Sequence, residues 1–180
     1  MHSKKLAAGA AFPTILATGP DGRQIDIAQP KEGTDWKLVV VYRGLHCPLC
    51  TQYLNRLEEF VATLAANRID VIAVSADSKA QMDSHLEKLK ISFPTACGLS
   101  VEQMQKLGLY ISTPRSAKET DHLFPEPGLF VINEQGRVQV VELSNSPFAR
   151  AELESLVSGL SWIRDPANNY PIRGTYLGSE

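Results

Sequence analysis

The stretch Val39–Phe60 reads VVVYRGLHCPLCTQYLNRLEEF, a buried strand running into a two-cysteine turn and then into an amphipathic helix. Leu38 to Val41 is a largely β-branched apolar run suited to the middle of a sheet. Gly44 and Pro48 break it. From Cys50 onward Tyr53, Leu54, Leu57, Phe60, Val61, Leu64 and Ala65 recur at helical spacing, which predicts a helix with one face on a core, ended by Asn67.

The spacing Cys47-Pro48-Leu49-Cys50 sets both sulfurs at the N-terminal edge of that helix, one turn apart, close enough to bridge without moving the backbone. Unpaired backbone N–H groups and the positive end of the helix dipole favour a thiolate there, and Arg43 and His46 add to this. Cys47, at the outer edge, is expected to be the reactive thiol. Cys50, inside the first turn, suits a resolving or leaving role. A CxxC alone could equally be half of a zinc site, but no second CxxC exists to complete one, and the strand-turn-helix context favours redox chemistry.

The whole chain is compatible with that reading. Its 180 residues are enough for one domain with a sizeable core, and the apolar fraction of 43% is that of an ordinary globule. A net charge of −2 and a pI near 6.1 leave no broad electrostatic footprint for nucleic acid or acidic lipid. Apolar stretches are strand-length, and MHSKKLAAGAAF is too weak an apolar segment for a secretory signal, so no membrane association is expected. Three cysteines, two of them in the CxxC, fit a reducing compartment, and the expected location is cytoplasmic.

Along the chain, Thr14–Ala17 and Arg23–Ile27 flank Gly19-Pro20-Asp21-Gly22, predicting an N-terminal β-hairpin. Ile69–Ser75 is a second central strand, so strand, helix and strand form a right-handed βαβ unit. Ser78 with Gln81 and Ser100 with Gln103 have the form of capping boxes opening two more helices, with Met82, Leu86 and Leu89 on the buried side of the first and Gly108 stopping the second. Phe93–Ala96 reads as a short edge strand between them. Leu109–Glu126 has no periodicity, and a loop of that length is more often a lid or binding loop than filler. Leu129–Ile132 and Arg137–Val141 form a second hairpin, and Ser146-Pro147 is expected to open the last helix with Phe148, Leu153, Leu156, Val157 and Leu160 inside. The expected domain is 1–163, with 164–180 an extended C-terminal tail.

This order resembles the thioredoxin fold: α/β, a central mixed sheet flanked by helices. The N-terminal hairpin, the helix before Phe93-Pro94 and the closing GLFVINEQGRV are similar to the AhpC/TSA branch, the peroxiredoxins and their redoxin relatives. Arg43-Gly44-Leu45-His46-Cys47-Pro48-Leu49-Cys50 is similar to the RGxxCPxC signature of proteins called peroxiredoxin-like. The resemblance implies that Cys47 matches both the peroxidatic cysteine of peroxiredoxins and the attacking cysteine of thioredoxins. It implies that Pro127 matches the proline facing the CxxC, with Glu126-Pro127 as a cis bond. The peroxiredoxin PxxxTxxC pattern is not kept, since Val40 and Gly44 stand at its proline and threonine. The arginine that peroxiredoxins place before the late strand falls near Pro127, where no guanidinium stands, which leaves Arg43 as the expected substitute.

The function expected from residues and resemblance together is a thiol-dependent antioxidant oxidoreductase. Cys47 thiolate reduces a peroxide or disulfide substrate, Cys50 closes an intramolecular disulfide, and a thioredoxin- or glutaredoxin-type reductant resets it. Metal, flavin and nucleotide cofactors are not needed. Other readings are a thioredoxin-like oxidoreductase without efficient peroxidase activity and a non-catalytic redox-sensing binding module. Cys97 reads as a small apolar core residue, His85 as a satisfied, partly buried histidine, and Arg115 as a solvated loop residue. Tyr170, Pro171 and Tyr176 suggest a tail packing across a two-fold axis, giving a homodimer.

Overall fold

The computed structural model describes residues 4–176. Its centre is β3 (Trp36–Val41), whose six residues are all buried because sheet partners lie on both edges and helices or loops on both faces. Its parallel partner is β4 (Ile69–Val74), paired from Trp36 with Ile69 to Val41 with Val74. On the other edge lies β8 (Gly128–Ile132), antiparallel to β3, and β9 (Val138–Leu143) follows it through the turn at Asn133–Gly136. With β5 (Thr95–Ala96) beyond β4, the five strands run β5-β4-β3-β8-β9. The N-terminal hairpin of β1 (Leu16–Thr18) and β2 (Gln24–Asp26) is present as expected, and Thr18 exchanges backbone hydrogen bonds of 2.9 Å with Cys97 at the β5 edge.

The period of two along β3 divides the core. Trp36, Leu38, Val40 and Tyr42 point to one face, where α1 (Pro48–Leu57), α2 (Val61–Ala66) and α5 (Leu153–Arg164) bring Leu54, Leu57, Leu64, Val157 and Leu160. Val39 and Val41 point to the other, with Ile15, Ile72, Val74 and α4 (Val101–Lys106), which contributes Met104. Both capping boxes form. Ser78 opens α3 (Lys79–Leu86) and Ser100 opens α4, each serine accepting from the N3 backbone while the N3 glutamine returns the bond. Met82 is buried, whereas Leu86 and Leu89 are half-buried; His85 takes the inner position instead.

Three sequence expectations are corrected. The helix after the CxxC is not continuous, because one 3-10 turn at Glu58–Phe60 separates α1 from α2, which Asn67 does end. The long loop is pinned at its ends by a two-stranded ladder of β6 (Ile111–Ser112) and β7 (Phe124–Pro125). The last helix starts at Leu153 rather than Ser146. Ser144 and Ser146 use their hydroxyl and backbone groups on each other in a local turn, and the Glu152 carboxylate caps the helix by accepting from Glu154 and Ser155. Phe148, expected inside, is 85% exposed.

Candidate active site

The site lies where β3 ends. Chain reversal from the strand into α1 needs a positive φ at Gly44, which is +130°. Leu45 N–H then donates to the buried Asp77 carboxylate at 2.8 Å, and Cys47 N–H to Gly44 C=O at 3.1 Å. Cys47 is the N-cap of α1, its sulfur accepting from Cys50 N–H at 3.2 Å, and Pro48 occupies the first turn, where a missing N–H costs nothing. The two sulfurs are paired as a disulfide with Cα atoms 5.3 Å apart, and both residues are buried.

The guanidinium that reaches sulfur comes from far along the chain. Arg150, in the loop before α5, places Nη2 2.8 Å from Cys50 Sγ and stacks over Tyr53 at 4.7 Å. Tyr53 donates its hydroxyl to Ala151 C=O at 2.9 Å, fixing that loop. Arg150 is half-buried, and burial lowers its pKa, so solvent screens its charge on sulfur only in part.

Arg43, the expected substitute arginine, is instead engaged by carboxylates. It pairs with Glu126 at 3.2 Å and Glu119 at 3.6 Å and lies over the Phe124 ring at 4.8 Å. Its work is to hold the long loop against the CxxC turn. His46 packs edge-on against Phe124 at 4.6 Å, and neither ring nitrogen has a hydrogen-bond partner among the described residues. Burial, then Arg43, bring its pKa down to about 4, so the ring is neutral at pH 7 and offers a thiolate no charge. His85 is wholly buried under the site, its Nε2 2.8 Å from Thr51 Oγ1 while its Nδ1 is unpartnered among the described residues; burial likewise brings its pKa down to about 4.

The cis bond expected at Glu126-Pro127 is absent, as there are no cis peptides among the described residues. Glu126 N–H donates to Tyr110 C=O, continuing the β6–β7 ladder, and Pro127 C=O accepts from Ser144, so the chain passes extended into β8. Pro127 is buried and lines a small recess with Tyr53 and Arg150. Cys97 is a buried free thiol with its pKa raised by burial, as its apolar reading expects.

Gly44 also explains why the peroxiredoxin threonine is missing. A Cβ there would overlap the Asp77 carboxylate, standing 2.9 Å from its Cγ and closer still to Oδ1. Asp77 is 1% exposed, is held above the usual carboxylate range by burial, and lies 3.5 Å from His122 Nε2, tying the long loop to the same turn. Arg150 and Asp77 both escaped the sequence reading, because each acts over a long separation: 100 residues from Arg150 to Cys50 and 32 from Asp77 to Leu45.

A five-stranded mixed sheet, a helix N-terminus carrying paired sulfurs and a cation on one of them define a thioredoxin-fold thiol oxidoreductase. The chain belongs to the AhpC/TSA family, whose model matches residues 8–141. No curated protein matches it. Among solved structures it is similar to a peroxiredoxin-like protein from Aquifex aeolicus, with a TM-score of 0.72, 18% identity and 88% of each chain covered. A cysteine-to-serine mutant of peroxiredoxin 6 from Arenicola marina gives 0.73 at 16% identity, over 90% of this chain and 75% of that one. AhpC of Mycobacterium bovis gives 0.72 at 14% identity, over 96% of this chain and 99% of that one. At these identities the likeness is one of fold.

Proposed function

We propose that the Cys47–Cys50 dithiol reduces peroxides and disulfides and is reset by a thioredoxin- or glutaredoxin-type dithiol. The observation that carries this is the bonded sulfur pair at the start of α1 with the Arg150 guanidinium on one sulfur. Cys47 thiolate attacks a peroxide oxygen, giving sulfenic acid and releasing water or an alcohol, or attacks a disulfide sulfur, giving a mixed disulfide and releasing one thiol. Cys50 thiolate then attacks Cys47 Sγ, expelling water or the second thiol and closing the disulfide. Arg43 holds the turn through Glu119 and Glu126, His46 supplies a neutral wall, and Pro127 shapes the floor beside Arg150. We assign the chain to the RGxxCPxC peroxiredoxin-like subgroup, working in the cytoplasm as a homodimer, with 1–163 as its domain and 164–180 as an arm. No helix among the described residues is long and apolar enough to cross a membrane.

The Arg150 contact favours a second assignment of roles, with Cys50 the peroxide-attacking thiolate and Cys47 resolving, because the thiol beside a half-buried cation has the lower pKa. Stopped-flow oxidation by hydrogen peroxide and by a small disulfide, on wild type, Cys47→Ser and Cys50→Ser, tests both. Sulfenic acid trapped in Cys50→Ser supports the first assignment and in Cys47→Ser the second. Slow peroxide oxidation with fast disulfide exchange identifies a disulfide oxidoreductase. A protein that reacts once and never turns over with excess reductant is a redox sensor, and the enzymatic reading fails.

A further inference from the structure

Beside the CxxC turn lies a cleft of about 710 Å³ between α1, α3 and the long loop. Pro48 and His46 of the CxxC turn line it, together with Lys88 after α3 and Arg115 and Lys118 of the long loop. A peroxide of two or three heavy atoms does not need such a space, which is in the range that holds a peptide-sized ligand.

Its electrostatics are one-sided. Glu119 is shared by Arg43 at 3.6 Å and Arg115 at 3.4 Å, and Asp121 is occupied by Gln81 at 3.0 Å and His122 at 2.8 Å. Lys88 and Lys118 are exposed and make no ion pair among the described residues. His46 adds a neutral imidazole whose nitrogens are both unpartnered among the described residues. The lining carries four cations, Arg43, Lys88, Arg115 and Lys118, against two carboxylates, Glu119 and Asp121, and this excess attracts a negatively charged ligand.

Resting on the redox reading above, we propose that this cleft binds a carboxylate-bearing low-molecular-weight disulfide or its thiol, Lys88 and Lys118 taking the carboxylates while the sulfur meets the His46 and Pro48 wall, between which the buried Cys47 lies in the chain. In the forward step a protein thiolate attacks the ligand's S–S bond, forming a mixed disulfide and releasing one thiolate. The second protein thiolate displaces the other, so two electrons leave the dithiol and two thiols are formed. The reverse sequence resets the protein at the expense of two such thiols.

The test compares oxidation of reduced protein by glutathione disulfide, hydroxyethyl disulfide and cystamine, which are anionic, neutral and cationic. The anionic disulfide should outpace the cationic one by about tenfold or more at low salt, with the ratio falling as salt rises. Lys88→Gln with Lys118→Gln should collapse the ratio, while Lys90→Gln with Lys106→Gln, an equal change of net charge outside the cleft, should keep it. Equal ratios in the two double variants, or a preference for cystamine, overturn the proposal. Calorimetric titration of the oxidised protein with S-methylglutathione, which has no free thiol, tests the cleft apart from its chemistry: saturable binding lost in the Lys88/Lys118 variant supports it, and no binding overturns it. Failure of hydroxyethyl disulfide to oxidise wild type refutes the disulfide-exchange part of the redox reading instead.

Discussion

Replacing Arg150 by methionine removes the one guanidinium that touches sulfur among the described residues while keeping a long apolar stem against Tyr53. Arg150 Nη2 is 2.8 Å from Cys50 Sγ, and this cation is buried enough for its own pKa to be depressed. A hydrogen bond to a charged partner contributes about 1.5–3 kcal/mol, which at 1.36 kcal/mol per unit raises the Cys50 thiol pKa by roughly one to two units when it is lost. A disulfide sulfur carries no charge and accepts this bond more weakly than a thiolate does, so most of the same energy acts on the redox couple. With about 1.4 kcal/mol per 30 mV for two electrons, the potential falls by roughly 30–65 mV where Cys50 is ionised in the reduced protein.

The pKa is read from the ultraviolet absorbance of the thiolate against pH in a Cys47→Ser background, where Cys50 and the buried Cys97 are the remaining thiols. The potential is read in the otherwise native protein against glutathione buffers. Arg150→Lys, which keeps the charge without the planar fork, should fall between wild type and Arg150→Met. A Cys50 pKa and a potential both unmoved by Arg150→Met, with thermal unfolding unchanged, would refute the reasoning and make Arg150 a packing residue of the Tyr53 loop.

Gly44→Ala should destabilise the protein by about 2 kcal/mol or more, since it adds a Cβ that overlaps the Asp77 carboxylate at a φ of +130°; a urea midpoint equal to wild type would contradict this. Glu152→Ala should lower the thermal unfolding midpoint, because two N–H groups at the start of α5 lose their acceptor; an unchanged midpoint would show that water caps the helix as well. The pH dependence follows from His85, whose folded pKa of about 4 lies below its ordinary 6.5. The unfolded chain takes the proton first, so stability is complete above 6.5 and is lost as pH falls toward 4, by up to about 3 kcal/mol from this residue, with His46 acting in the same direction. Chemical denaturation at a series of pH values should show a slope that His85→Gln flattens; an unchanged slope would mean that other groups dominate.

What was legible in the sequence is what is local. The β-branched run at Val39–Val41, the capping boxes at Ser78 and Ser100 and the CxxC at a helix start are each written within a few residues, and each formed. Errors arose where a competing partner outside the motif decides. Ser146-Pro147 has the composition of a helix start, but Glu152 offers two capping bonds further on and Ser144 captures Ser146 in a turn, so the segment stays irregular and carries Arg150 to sulfur. Arg43 is next to the cysteines in sequence, but Glu119 and Glu126, brought by the long loop, compete for its charge.

The same competition accounts for the departure from the peroxiredoxin pattern. At the position where that pattern has a threonine, the backbone turns through a positive φ to present Leu45 N–H to Asp77, and the carboxylate fills the space a side chain would need. The turn is therefore organised by an acid just beyond the end of β4 rather than by a hydroxyl within the motif. That acid is in turn 3.5 Å from His122, and the loop carrying His122 also carries Glu119 to Arg43. The loop thus meets the CxxC turn on both sides of Gly44, with Glu119 and Glu126 on Arg43 and His122 beside Asp77, so removing either set of contacts should loosen the cleft wall before it alters the sulfurs. Asp77→Ala, which leaves the half-buried Leu45 N–H without its acceptor at a cost of about 1 kcal/mol, should accordingly raise amide exchange across residues 113–123 as well as at Leu45; protection lost at Leu45 alone would show that loop and turn are independent.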